Sequence, residues 1–291
     1  GTPPVRYLPC VVPCKLYFAA VFILFTVITC LNIKEKSTVN VEAPSVGQMF
    51  KALVSNDQAM TVVITIVLIN CSLYITSNLL IYFFKYDIGG AGWNANYVLF
   101  NTFGGGIQII SMMLFYPLFR KFISAMQVFY VSFVMAIGGY AVLLALMFTN
   151  RTNIYILMIP GFFIFTAFGM LTVLTTVFLA NTVDYGELKN NRRDESVIFS
   201  MQTFVVKLAS GVAAMIASIC LTISNISNDT STEAAAMVSD SYTSVAVLRM
   251  TMTVLPIIGL LVAVFIFAKK YILTDEKLGE INQELAHRHK A

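Results

Sequence analysis

The chain has 291 residues, of which 58% are hydrophobic and only 12% charged; its net charge is +4 and its mean hydropathy +0.79. Soluble domains carry about 25% charged residues, so this composition excludes an ordinary water-soluble fold and indicates a polytopic, all-α membrane protein. The basic residues are spread over connectors and no basic stripe interleaves with aromatics, so membrane topology explains the positive balance and nucleic acid is not an expected partner.

The opening run GTPPVRYLPCVVPCK starts at Gly1 and lacks the basic start, apolar middle and small cleavage site of a signal peptide. The chain is therefore expected to begin inside a longer protein. Cys10 and Cys14 form a C-x3-C pair with no nearby histidine, a weak signal for a disulfide or a metal. Cys30, Cys71 and Cys220 sit in apolar runs, where cysteine behaves as a small hydrophobe. No metal site is expected.

A spanning helix needs about 20 apolar residues. Seven runs qualify: 16–33, 59–84, 95–119, 123–148, 154–180, 197–223 and 245–268. None has the alternating period of a barrel strand. The division follows: an outside segment with the first span (1–33), a cytoplasmic connector (34–57), a six-helix bundle (58–268) and a cytoplasmic tail (269–291). Thirteen lysines and arginines fall on the side holding Lys34, Arg120, Lys189 and the tail; the other side has five, Arg6, Lys15, Lys85, Arg151 and Arg249. The richer side is cytoplasmic by the positive-inside rule. The C-terminus is then inside and Gly1 outside, which fits either a seven-span receptor or a fragment lacking an odd number of preceding spans.

The connectors carry three further patterns. SVGQMFKALVS reads as a short amphipathic helix on the membrane surface, with Ser45 and Gln48 at capping-box spacing and an apolar stripe of Met49, Phe50, Leu53 and Val54. The outside connector 224–244 holds formal glycosylation sequons at Asn225 and Asn228. In the tail, Leu278, Ile281 and Leu285 recur at helical spacing, as in a solvated amphipathic helix.

Polar residues inside spans mark the candidate site. Asn70, Tyr74 and Asn78 recur at i, i+4 and i+8 and share one helix face, pointing into the bundle as an interhelical contact or a cavity wall. Gly104, Gly105 and Gly106, and then Gly138 and Gly139, permit close packing or bending. Ser200, Thr203, Lys207, Ser210 and Ala214 form a polar or small face with Gln202 beside it. Lys207 lies well inside an apolar run, where a charge is expensive, so it should face an aqueous cavity or pair with an acid, unless it snorkels to the nearer surface. No other span holds an Asp or Glu near its middle, which leaves a ligand, water or an absent part of the protein as its partner. Before it, a loop carries Asp184, Glu187, Lys189, Arg192, Arg193, Asp194 and Glu195, a mixed-charge run suited to breakable salt bridges.

Asn181-Thr182 followed by VDYGE (183–187), then Arg193, Glu195, and Gln202, Thr203 and Lys207 on the next helix, resembles the signature of the glycoside–pentoside–hexuronide:cation symporters, the melibiose-permease-like family. The resemblance implies the major facilitator fold, with the first span here as the sixth of twelve and the remainder as the C-terminal six-helix half. It implies cation (Na⁺ or H⁺)-coupled sugar or glycoside symport by alternating access, with no cofactor beyond the coupling cation and with the N-terminal half as an obligatory partner. By resemblance Lys207, Gln202 and Thr203 lie near the sugar and cation site, while Asp184, Tyr185, Glu187 and Arg193, with Glu195, belong to a cytoplasmic gate. Asn181 departs from the family, which has an aspartate there.

The alternatives are an uncoupled or exporting major facilitator transporter, a seven-span receptor, and a membrane enzyme. The third span ends FYPLFRK without D/E-R-Y, and the seventh has VLPII without N-P-x-x-Y, both against a receptor. No H-E-x-x-H, G-x-S-x-G or phosphate loop occurs, and both histidines lie in the tail, against an enzyme.

Overall fold

The computed structural model describes residues 11–32, 46–90, 92–149, 153–190, 194–224, 226 and 242–288. Cys10, Ser45, Arg193 and the sequon residues Asn225 and Asn228 lie outside the described residues. The chain divides into two compact units, Gly1–Ala43 and Pro44–Ala291.

The first unit contributes one helix, α1 (Val11–Asn32). Its polar side chains satisfy themselves on the turn before: Thr26 and Thr29 hydroxyls and the Asn32 amide each donate to the carbonyl four residues back, at 2.8 Å. Such back-bonding lets these residues sit in an otherwise apolar helix.

The second unit contains α2 (Val46–Ser55), α3 (Asp57–Tyr82), α4 (Trp93–Ile110), α5 (Tyr116–Phe122), α6 (Ala125–Phe148), α7 (Ile154–Asn190), α8 (Glu195–Ile223), α9 (Tyr242–Lys270) and α10 (Asp275–Arg288). A π-helical turn, Phe83–Ile88, prolongs α3, and another, Ser111–Phe115, joins α4 to α5. Among the described residues six segments are long and apolar enough to cross a membrane: Asp57–Ile88, Trp93–Phe122, Ala125–Phe148, Ile154–Asn190, Glu195–Ile223 and Ser244–Lys270. The expected first span corresponds to α1, whose apolar part, Leu16–Asn32, is shorter than these six.

α3 is the central helix and packs against α7, α8 and α9; α6 packs on α7 and α9, and α4 on α7. The core between α6, α7 and α9 is aromatic. Phe129 lies 4.2 Å from Phe267 and 5.3 Å from Phe178 between ring centroids, and Phe267 stacks on Tyr271 at 4.4 Å. Glycines make two of the close crossings. A Cβ on Gly104 would fall 2.3 Å from the Phe165 ring, and one on Gly139 2.7 Å from Ile164, whereas Gly105, Gly106 and Gly138 face open space.

Pro256 interrupts α9 from within. It has no N–H, so the carbonyl of Met252 loses its intrahelical donor. The Thr76 hydroxyl of α3 supplies the replacement at 3.0 Å, while Tyr140 of α6 bonds the same hydroxyl at 2.8 Å. In lipid a freed carbonyl has no water to turn to, so a neighbouring side chain must satisfy it.

Three expectations are corrected. The run from Asn181 to Asn190 is a continuation of α7 and not a loop, because Leu179, Thr182, Val183 and Gly186 keep a buried stripe at helical spacing. The tail helix α10 is docked and not merely solvated: Ile281 and Leu285 are 4% and 7% exposed, and Arg288 donates to the Leu188 carbonyl of α7 at 3.3 Å. Arg249, counted with the outer connectors, sits about two turns inside α9 and forms a bidentate pair with Asp87, with Nε–Oδ2 2.7 Å and Nη2–Oδ1 2.5 Å. Both side chains are nearly buried, and the guanidinium lies 5.7 Å from the Phe148 ring centroid.

Removing one partner of such a pair strands the other charge in a dry site. Arg249→Met is expected to destabilise the bundle by about 3–5 kcal/mol, and Arg249→Met combined with Asp87→Leu to recover most of that loss. Denaturant titration in mixed micelles reads both.

Candidate functional site

Two polar regions stand out against the apolar bundle. The first lies where α3 begins, at the end of the bundle that holds the tail. Asn56 caps α3, its Oδ1 accepting from the Ala59 N–H at 3.0 Å. Its amide nitrogen donates to the Thr182 carbonyl of α7 at 2.8 Å, and the residue is only 2% exposed. The glycine of VDYGE makes this approach possible, since a Cβ on Gly186 would lie 2.6 Å from Asn56 Nδ2. Asp57 follows, and its Oδ1 accepts from the Tyr185 hydroxyl at 3.2 Å and from Lys189 at 2.5 Å. The Lys189 ammonium also sits 5.5 Å from the Tyr185 ring centroid. Gln58 completes the clamp: its Oε1 accepts from the Ile272 N–H at 3.0 Å and its Nε2 donates to the Lys270 carbonyl at 3.2 Å. Three consecutive side chains thus tie α3 to α7 and to the α9–α10 junction.

Of the expected gate residues, Tyr185 belongs to this network. Asp184 and Glu187 lie on the same helical segment, half-buried, and Glu195 opens α8, exposed. Asp57 and Lys189 are partners that sequence reasoning did not pair; the readable signal was an Asn-Asp start before an apolar run, a helix N-cap pattern. Arg120 reaches the Asp275 carboxylate of α10 at 3.3 Å. Asn181 is half-buried nearby. The Tyr271 hydroxyl is buried with no hydrogen-bond partner among the described residues. Burial holds that phenol above the ordinary tyrosine range, and the adjacent Asn181 side chain offsets this only in part.

The second region is the surface of α3, α4, α7 and α8. Ser77 and Asn78, Asn101, Thr172 and Thr176, and Ser200, Thr203 and Lys207 are exposed there. Large apolar side chains are also exposed on every spanning helix, among them Leu99 on α4, Val134 on α6, Met215 on α8 and Phe265 on α9, as lipid-facing surfaces require. The Gln202 amide donates to the Thr176 hydroxyl at 3.0 Å and fixes α8 against α7. Lys207 is exposed, not buried, and no carboxylate pairs with it among the described residues. The face of Asn70, Tyr74 and Asn78 divides by environment: Asn70 bonds back to the Ile66 carbonyl at 2.8 Å, Asn78 is exposed, and Tyr74 lines a cavity of 320 Å³ that also touches α4, α6, α7 and α9. Among the described residues no cluster of His, Cys, Asp and Glu could hold a metal.

Six spanning segments with large apolar side chains exposed on their surfaces define a multi-pass membrane protein. Residues 10–275 match the family of MFS/sugar transport proteins, and the chain belongs to that family. It is 30% identical to the lactose permease of Lactobacillus delbrueckii subsp. bulgaricus over 84% of this chain and 37% of that protein. It is 28% identical to the raffinose carrier protein of Pediococcus pentosaceus over 82% of this chain and 35% of that protein. It is 24% identical to an uncharacterized symporter of Bacillus subtilis over 92% of this chain and 56% of that protein. The chain thus spans between about a third and just over half of the length of these relatives, which are transporters and not enzymes.

The clamp at the start of α3 has a measurable cost of removal. Asn56→Ala is expected to lower stability by about 1–2 kcal/mol, since it removes a cap and the buried side-chain bond to the Thr182 carbonyl. Gly186→Ala should show a loss of the same sign because it displaces Asn56; thermal unfolding in detergent reads both. The half-exposed Asp57–Lys189 pair should give a coupling energy of only about 0–1 kcal/mol in an Asp57→Asn, Lys189→Met double-mutant cycle.

Proposed function

We propose that this chain is the C-terminal half of a cation-coupled sugar or glycoside symporter that works by alternating access. α1 acts as the sixth of twelve spans, and the second unit forms the C-terminal six-helix half, its tail on the cytoplasmic side by the positive-inside count. The N-terminal half is the partner, and the two halves rock around a site near the membrane midplane. The observation that carries this reading is the polar wall of α3, α4, α7 and α8, with an unpaired, exposed Lys207, in a member of a sugar transport family. The relatives' names, lactose permease, raffinose carrier and symporter, support a sugar as the solute and ion coupling as the drive.

In this reading Lys207, Gln202 and Thr203 line the sugar and cation cavity with Asn70, Tyr74 and Asn78. Lys207 supplies charge or hydrogen bonds to a solute hydroxyl or to a carboxylate of the N-terminal half. Asp184, Tyr185, Glu187, Arg193 and Glu195 form the cytoplasmic gate. The weakness of exposed ion pairs supports that role, because a gate must open on every cycle. Na⁺ or H⁺ drives uptake by raising sugar affinity, a reciprocal coupling.

Lys207→Ala in the whole transporter is expected to abolish accumulation of labelled sugar while the protein still reaches the membrane. Wild-type accumulation in that variant overturns the role of Lys207. Collapsing the ion gradient with an ionophore separates symport from an uncoupled carrier: symport loses accumulation, whereas an uncoupled carrier equilibrates sugar with or without the gradient.

A further inference from the structure

Two exposed apolar stripes end in lysines at one edge of the bundle. On α9, Ile258, Leu261 and Phe265 are exposed at helical spacing, and Lys269 follows on the same face. Its ammonium lies 4.4 Å from the Phe265 ring centroid, so the stem runs back along the apolar surface while the charge sits at its end. Lys270 is exposed beside it. On α5, Leu118 and Phe122 are exposed, and Lys121 shares their face. Packing brings the two stripes together. α6 starts at Ala125, just after α5, and its Phe129 lies 4.2 Å from Phe267 in the last turn of α9, between ring centroids. Arg120, the neighbour of Lys121, reaches Asp275, just beyond the end of α9, at 3.3 Å.

We propose that Lys121, Lys269 and Lys270 hold the headgroup of an anionic phospholipid from the surrounding leaflet, with its acyl chains against Phe122 and Phe265. Charge is the first reason. No carboxylate pairs with any of the three lysines among the described residues. The acids on the adjoining elements are engaged elsewhere, Asp275 by Arg120 and Asp57 by Lys189. Glu276 and Lys277 follow on α10 as exposed neighbours of opposite sign. Three ammonium groups are left at one edge, and a phosphodiester placed among them relieves their mutual repulsion. Position is the second reason. Each stripe is apolar below its lysine, so the ammonium groups stand where hydrocarbon gives way to headgroups, and basic clusters at that depth favour anionic lipids. A zwitterionic headgroup brings an ammonium of its own and gains less. A free phosphate has no chains to cover the exposed Phe122 and Phe265 rings. The site is independent of the solute that the protein carries.

A tryptophan at position 265 reads the site locally. Phe265→Trp is made in the whole transporter, which is reconstituted in vesicles of phosphatidylcholine and phosphatidylglycerol with one or the other lipid brominated on its chains. Quenching of the added fluorescence, taken as the difference from the parent protein, gives the relative binding of the two lipids beside Lys269. A lysine near the surface favours an anionic lipid by about fivefold, so phosphatidylglycerol is expected to bind roughly tenfold or more tightly there. Lys121→Gln, Lys269→Gln and Lys270→Gln together should bring the ratio close to one, and arginine at the same three positions should keep it. Met250→Trp, exposed at the opposite end of α9, should read a ratio near one with all three lysines present. Equal binding of the two lipids at position 265, or a preference that survives the glutamine variant, overturns the site. So does a preference of the same size at position 250, which would belong to the charge of the whole protein. A loss in the arginine variant as large as that in the glutamine variant overturns charge as the cause. If inorganic phosphate abolishes the preference where chloride at equal ionic strength does not, the cluster takes free phosphate and the lipid assignment falls.

Discussion

No water replaces a lost backbone hydrogen bond inside hydrocarbon, so every break in a spanning helix must be repaired by another part of the protein. Both ends of that rule meet on α3. At its start, Asn56 caps its own helix and adds a buried bond to the Thr182 carbonyl of α7, while Gln58 bonds the Lys270 carbonyl and the Ile272 N–H where α9 ends. About two turns before its end, Thr76 satisfies the carbonyl that Pro256 leaves free in α9 and holds Tyr140 of α6 at the same oxygen. α3 is therefore central for a chemical reason as well as a geometric one. It carries the donors that let its neighbours contain prolines and helix ends without exposing polar backbone to lipid.

The spans were legible because a run of about 20 apolar residues has few other uses, and all six segments of the bundle fall where the apolar runs are. The extension of α7 through VDYGE was not legible, because Asn181, Asp184, Glu187 and Asn190 give that stretch a loop's composition. Its helical character lies in Leu179, Thr182, Val183 and Gly186, a narrow stripe with two members that are not apolar. The spacing of Asn70, Tyr74 and Asn78 correctly implied one helix face, but a face spans several environments along its length, and only packing separates the back-bonded Asn70 from the cavity-lining Tyr74. The pairs Asp57–Lys189 and Asp87–Arg249 lie 132 and 162 residues apart in sequence, and no local pattern joins them.

The glycine triplet of α4 shows how closely packing and opening are interleaved. Gly104 admits the Phe165 ring against the helix backbone, while Gly105, one residue on, faces the cavity mouth. Adjacent residues on a helix point about 100° apart, so a single run of identical residues serves a tight wall and a vacant opening. Close packing and bending were both open for the whole run, and the structure assigns the roles residue by residue.

The two ends of the bundle are held by ion pairs of different character. Asp87 and Arg249 are almost wholly removed from solvent and bonded twice, so separating them would leave two uncompensated charges in a dry site. At the tail end, Asp57–Lys189 and Arg120–Asp275 are between about a third and a half exposed, and water compensates each group when it leaves its partner. Rearrangement is therefore cheaper where α3 begins and α7 ends than where α3 ends and α9 begins. What resists motion at the tail end is the neutral clamp of Asn56 and Gln58, whose bonds run to backbone carbonyls and an amide and so do not weaken with salt. A movement that separated α7 from α3 at this end would have to break the Asn56–Thr182 bond, and the Asp57–Lys189 pair would follow at little further cost.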